Sequence, residues 1–242
     1  MQKDLSDLVS NVFQQGEHKK MKNYAHYDLL SGLFAFPKAG FNEYVLKVQD
    51  FLKNNYPESA IELEEFIDYA KKNELLDQQE LYVRSFEVQA ITTLDLGYVL
   101  FGEDYKRGAL LVNLNRELRE AGIDTGGELS DHLPFVLQLV ARIEDDEFRD
   151  ELVKKILAPA VKLIIDEFGE KKMEYKTKFY KKQYKTIIDT SDEYRMIYLK
   201  ALNSFYKILK TDFDIKKDII SLNSSDFLKA VNSELAMESD KV

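Results

Sequence analysis

Chemistry in a protein needs nucleophiles, titratable groups or metal ligands at workable spacing, and this chain supplies few of them. Its histidines are His18, His26 and His132, too few and too scattered for a histidine metal cluster, and none forms the i, i+4 pair of a helical zinc protease. There is no cysteine at all, which removes disulfides, thiolate zinc sites, iron–sulfur ligation and cysteine nucleophiles. Carboxylates are abundant. The runs Glu62, Glu64, Glu65 and Glu144 through Glu147 lack the glycine-containing spacing of a calcium loop, so they read as solvated surface. Gly122, Gly126 and Gly127 follow a helical pattern rather than a strand, the wrong context for a phosphate-binding loop. These residues predict a protein that is not an enzyme, binds no metal and carries no cofactor of its own.

Positioning must come from helices. Only 10 glycines and 4 prolines interrupt 242 residues, and apolar residues recur at spacings of three and four. Leu5, Leu8, Val9, Val12 and Phe13 form one stripe closed by Gly16. Tyr27, Leu30, Leu33 and Phe34 form a second stopped by Pro37, and Phe41 through Leu52 a third running up to Pro57. A helix from Pro57 is expected to carry Ile61, Phe66, Ile67 and Ala70 inward. The dense apolar run from Glu74 to Phe101 predicts a central helix or helix pair, with Gly102 as its stop. Asp104 is placed to cap a helix that ends at Ala121-Gly122. After the loop Asp124-Thr125-Gly126-Gly127, Asp131 is the expected N-cap of a helix reaching Ile143, with Pro134 in its first turn. Phe148 to Phe168 predicts another helix, bent or divided by Pro159.

Composition shifts at Gly169. From Glu170 to Lys185 there are seven Lys against two Glu, with Tyr175, Phe179, Tyr180 and Tyr184 interleaved. Such a segment could follow single-stranded nucleic acid. The net charge of −9 favours a solvated helix with an aromatic packing stripe instead, and no nucleic-acid partner is expected. One further stripe, Tyr194 to Leu209, precedes a polar tail carrying Phe227, Val231 and Leu235. The expected organisation is a helical core over residues 1–169 and a Lys/Tyr-rich helical extension with a mobile end over 170–242. No apolar stretch approaches the roughly 20 residues that span a bilayer, and no secretory signal is visible, so a cytoplasmic protein without membrane insertion is expected.

Two stretches exceed what helix packing requires. The first is Leu81-Tyr82-Val83-Arg84-Ser85-Phe86-Glu87 followed by Phe101-Gly102-Glu103-Asp104-Tyr105-Lys106-Arg107-Gly108. The second is Glu128-Leu129-Ser130-Asp131-His132-Leu133-Pro134-Phe135-Val136-Leu137-Gln138. Together they resemble the signature of the NarJ/TorD/DmsD chaperones, in which a Tyr-x-x-x-Phe-Asp element precedes a Gly-Asp-x-x-x-Arg-Gly turn. A Glu-Leu-Pro-Asp-(Tyr/His)-Leu-Pro element then opens the next helix. Leu29 to Pro37 also resembles the family's leucine-rich helix ending in proline, and the order of elements agrees from Tyr27 to Phe168. Glu87 stands where the family has Asp, Ser130 where the NarJ branch has Pro, and Gln138 where Glu is frequent.

The resemblance implies an all-α helical-bundle domain of the TorD/DmsD/NarJ-like type with a C-terminal helical extension. It implies a chaperone that binds the N-terminal segment or twin-arginine signal of a molybdopterin oxidoreductase catalytic subunit, such as a nitrate reductase. The client, not the chaperone, carries the molybdopterin cofactor. An amphipathic or extended cationic segment needs an apolar groove with carboxylates at its rim. On that reading Tyr82 and Phe86 line the groove, Glu87 and Asp131 face the cationic end of the peptide, and His132 tunes affinity through protonation. Gly102, Arg107, Gly108, Glu128 and Pro134 are motif residues with turn geometry as their other explanation. The rival reading is a helical scaffold or adaptor for an unrelated protein partner.

Overall fold

The computed structural model describes residues 23–88, 90–169 and 196–216. The stripe Leu5 to Phe13, His18, the Lys/Tyr-rich segment Glu170 to Lys185 and the tail stripe Phe227 to Leu235 lie outside the described residues. Within them the chain is all-α. The helices are α1 (His26–Ser31), α2 (Phe41–Asn55), α3 (Pro57–Glu62), α4 (Glu64–Lys72), α5 (Leu75–Phe86) and α6 (Leu96–Phe101). They continue as α7 (Tyr105–Glu120), α8 (Leu133–Arg142), α9 (Asp146–Leu152), a π turn (Val153–Leu157), α10 (Ala158–Glu167) and α11 (Ile197–Asp212). No described helix is long and apolar enough to cross a membrane.

Local chemistry explains most of the boundaries. Pro57 opens α3, where its missing N–H has no helical partner to lose. Glu74 and Asp77 close a reciprocal capping box on α5. Asp104 accepts from the Lys106 amide at 2.9 Å to start α7, and Asp145 accepts from the amides of Glu147 and Phe148 to start α9. Gly102 ends α6 with φ of 63°, a conformation that side chains disfavour. The expected single helix from Pro57 is divided at Leu63. Ile61, expected inside, is 67% exposed because at about 100° per residue it falls opposite the face that buries Ala60, Leu63, Phe66, Ile67 and Ala70. The run from Glu74 to Phe101 is a helix pair, α5 and α6, separated by non-helical residues.

Pro159 divides its helix through the π turn. The Ala158 N–H bonds the carbonyl of Val153, five residues back, so the wider turn lies where the proline ring would meet the carbonyl of Lys155.

One core joins these elements. Helix α1 packs on α8, α2 packs on α3 and α4, α10 packs on α6, and α11 packs against α3, α4 and α10. The rings of Tyr27 and Phe34 both meet Phe205 edge-on. The C-terminal end of α11 is fastened by Asp212, which accepts from the hydroxyls of Tyr27 at 3.0 Å and Tyr56 at 2.8 Å and lies 2.8 Å from His26 Nε2. Burial first, and then Asp212, pushes the ionisation of both tyrosines up, so they remain donors. The expected boundary at Gly169 therefore does not bound the core. Tyr198, Ala201, Leu202, Phe205, Ile208 and Leu209 are at most 1% exposed within the same cluster as Leu30 and Val136.

Candidate functional site

Three stretches distant in sequence meet where α6 and α8 begin. The segment before α6 and the segment before α8 run antiparallel at a bridge between Asp95 and His132. The Leu96 N–H donates to the Asp131 carbonyl and the Leu133 N–H to the Leu94 carbonyl, both at 2.9 Å. This short pairing satisfies donors at the two helix starts and sets the side chains of Asp95, Asp131 and His132 beside α7.

Arg107, on the first turn of α7, bridges the two carboxylates. Its Nη2 donates to Asp95 Oδ2 at 3.2 Å and its Nε to Asp131 Oδ2 at 3.2 Å, while the guanidinium covers the Tyr98 ring at 5.2 Å. The Gly97 N–H donates to the same Asp131 oxygen at 3.0 Å. A Cβ on Gly97 would stand 2.7 Å from that oxygen, so the close approach requires glycine. Asp131 Oδ1 is buried and has no hydrogen-bond partner. His132 Nδ1 lies 3.1 Å from Asp95 Oδ1 and its Nε2 lies 3.4 Å from the Tyr82 hydroxyl. A proton on Nδ1 given to Asp95 leaves Nε2 to face the Tyr82 hydroxyl as an acceptor.

The two carboxylates are driven in opposite directions. Burial is the largest influence on each and favours the neutral acid. For Asp95 the hydrogen bonds and charges of His132 and Arg107 together outweigh it, and its pKa falls below the ordinary 3.8. For Asp131 burial wins over the Arg107 hydrogen bond, with repulsion from Asp95 assisting, and its pKa rises. Linkage then fixes the signs. Asp95 contributes stability present above 3.8 and lost as pH falls through its lower folded value. Asp131 contributes stability present below 3.8 and lost as pH rises through its higher folded value. In urea titrations from acidic to neutral pH, the destabilisation caused by Asp95→Asn is expected to grow with pH, and that caused by Asp131→Asn to shrink. Parallel pH profiles for the two variants would contradict this arrangement.

Placement of the expected site residues is mixed. Asp131 is not the cap of α8: the helix starts at Leu133, His132 occupies the cap position, and the Asp131 side chain turns across to Gly97 and Arg107. Being 0% exposed, Asp131 does not face a peptide. Tyr82 and Phe86, expected to line a groove, are 2% and 6% exposed. Their rings pack on each other at 5.3 Å and on Tyr198 at 6.0 and 4.8 Å. The exposed member of this ring group is Phe36, 5.5 Å edge-on from Tyr82 and 40% exposed. Glu87 and Glu128 are both exposed. Burial first, and then the negative charges of Glu87, Glu128 and Asp95, push the Tyr82 ionisation up. Pro134 sits in the first turn of α8. Gly102 closes α6, and Gly108 lies on the exposed side of α7.

Asp95, Gly97, Phe36 and Tyr198 carry no site signal of their own in the sequence. Asp95 lies inside the apolar run from Glu74 to Phe101 that predicts a helix or helix pair. Its side chain makes no cap bond and goes to His132 and Arg107 instead. Among the described residues no group of three or more His, Asp or Glu is placed to hold a metal ion.

No protein-family model matches this chain, and no curated protein matches it either.

Proposed function

We propose that the protein is a system-specific assembly chaperone. It binds the N-terminal segment of a molybdopterin oxidoreductase catalytic subunit and holds that subunit while its cofactor is inserted and it is assembled or exported. The observation carrying this reading is the meeting of the motif stretches at one node, where Tyr82, Arg107, Asp131 and His132 interlock. The open side of the node is acidic, through Glu87, Glu128 and the part-exposed Asp95, and Phe36 provides an apolar neighbour. A cationic segment followed by apolar residues suits such an edge, because paired carboxylates can take a guanidinium while a ring covers aliphatic chain.

The groove residues of this reading differ from those expected from sequence. Exposed Glu87, Glu128, Phe36 and the rim of His132 meet the peptide, and buried Tyr82, Phe86 and Asp131 hold those residues in place. The test is calorimetric titration with a synthetic peptide carrying paired arginines before an apolar run. Glu87→Gln combined with Glu128→Gln is expected to weaken binding on the order of tenfold and to flatten its salt dependence, since exposed ion pairs each contribute up to about 1 kcal/mol. Equal affinity and salt response in the double variant would remove this surface from the reading. Affinity capture from native extract that retains a different protein on the same face, and no redox subunit, would make the chain a helical adaptor.

A further inference from the structure

Gly108 lies inside α7 with helical backbone, and a Cβ built on it meets nothing within 4 Å. No internal contact or turn requires glycine there. Glycine in a helix interior is nevertheless unfavourable relative to alanine. One turn on, Val112 projects from the same face and is 68% exposed, and Tyr105, one turn before, is 70% exposed. The face thus carries a notch and a knob four residues apart, a spacing that places both on one side of the helix.

Its charges are arranged along the axis with the same symmetry. Asp104, which also caps the helix, stands at the N-terminal end of this face, while Arg119 and Arg116, the latter bonded to Glu117, stand at the C-terminal end. We propose that this face of α7 pairs with α7 of a second copy of the chain, antiparallel about a two-fold axis outside the helix, midway along it between Gly108 and Val112. Each Val112 then enters the other's Gly108 notch, and each Asp104 approaches the other's Arg116 and Arg119. Self-complementary surfaces of this kind are what a two-fold interface requires. A helix of this length spans about 24 Å, so the contact is smaller than a permanent dimer interface and the association is reversible.

Sedimentation velocity over a wide concentration range reads the association directly. The wild-type protein is expected to shift reversibly from monomer to dimer. Gly108→Leu fills the notch and is expected to weaken the dimer at least about tenfold while raising the melting temperature by about 2–4 °C, because leucine is the better helix former. Arg116→Glu with Arg119→Glu is expected to abolish the dimer by setting like charges against Asp104. The absence of native cysteine allows a third arm. A mixture of Gly108→Cys and Val112→Cys chains is expected to form mixed disulfide dimers in excess over either like pair. A monomer at every concentration, as when another part of the chain covers this face, overturns the proposal. So does a dimer that survives Gly108→Leu unchanged.

Discussion

A chain ended at Gly169 is expected to lose cooperative unfolding, whereas one ended after Lys216 keeps it. The shorter chain lacks α11, and α11 is a wall of the core. Tyr198, Ala201, Leu202, Phe205, Ile208 and Leu209 are all at most 1% exposed between α3, α4 and α10. Loss of a large buried side chain costs about 2–5 kcal/mol, so removal of several together exceeds the roughly 5–15 kcal/mol by which a domain is stable. The polar fastening goes as well, because Tyr27, Tyr56 and His26 lose Asp212 at once. Circular dichroism melts and urea titrations of the two truncated chains decide the matter. A sharp two-state transition in the 1–169 chain would restore the core boundary to Gly169.

Replacing Asp131 with alanine is expected to destabilise the fold by about 3 kcal/mol, the lower end of what breaking a buried ion pair costs. The variant deprives the Gly97 N–H of its acceptor and takes one of two carboxylates from Arg107, whose side chain is only 17% exposed. Arg107 keeps Asp95, and the desolvation of the unpartnered Asp131 Oδ1 is relieved, which is why the upper end is not reached. Asparagine keeps an acceptor for Gly97 and is expected to cost about half as much, within the range for one altered buried hydrogen bond. Urea denaturation of the three proteins at neutral pH measures the series. An alanine variant within about 0.5 kcal/mol of wild type, the scatter of ordinary surface changes, would mean that Asp131 is no keystone of this node.

Periodicity made the helical class legible, and caps and breakers made most boundaries legible with it: Pro57, Gly102, Asp104 and the Ala121-Gly122 stop all act as their chemistry dictates. What periodicity could not carry was the partner of each face. Tyr198 belongs to a stripe visible in sequence, yet its contact with Tyr82 and Phe86 bridges over a hundred residues and leaves no local trace. Asp131 illustrates the opposite error. An Asp shortly before an apolar helix satisfies the rule for a cap, but the antiparallel bridge at His132 brings Gly97 and Arg107 within reach, and a cationic partner outcompetes a local amide. Ile61 failed for a geometric reason, since its separations of five, six and nine residues from Phe66, Ile67 and Ala70 put it on the opposite side of the helix.

The π turn before Pro159 means that α9 and α10 do not share one angular frame. A five-residue return places one more residue in the loop of backbone than an α-helix would, and each extra residue rotates the chain beyond it by about 100°. Counted at about 100° per residue, Val161, Ile164 and Phe168 fall about one residue's rotation away from Leu152, Val153 and Ile156, and the π turn takes up that difference, so both groups are buried. The stretch therefore keeps its greasy side in register across the break, and the same helix, α6, packs on both the π turn and α10.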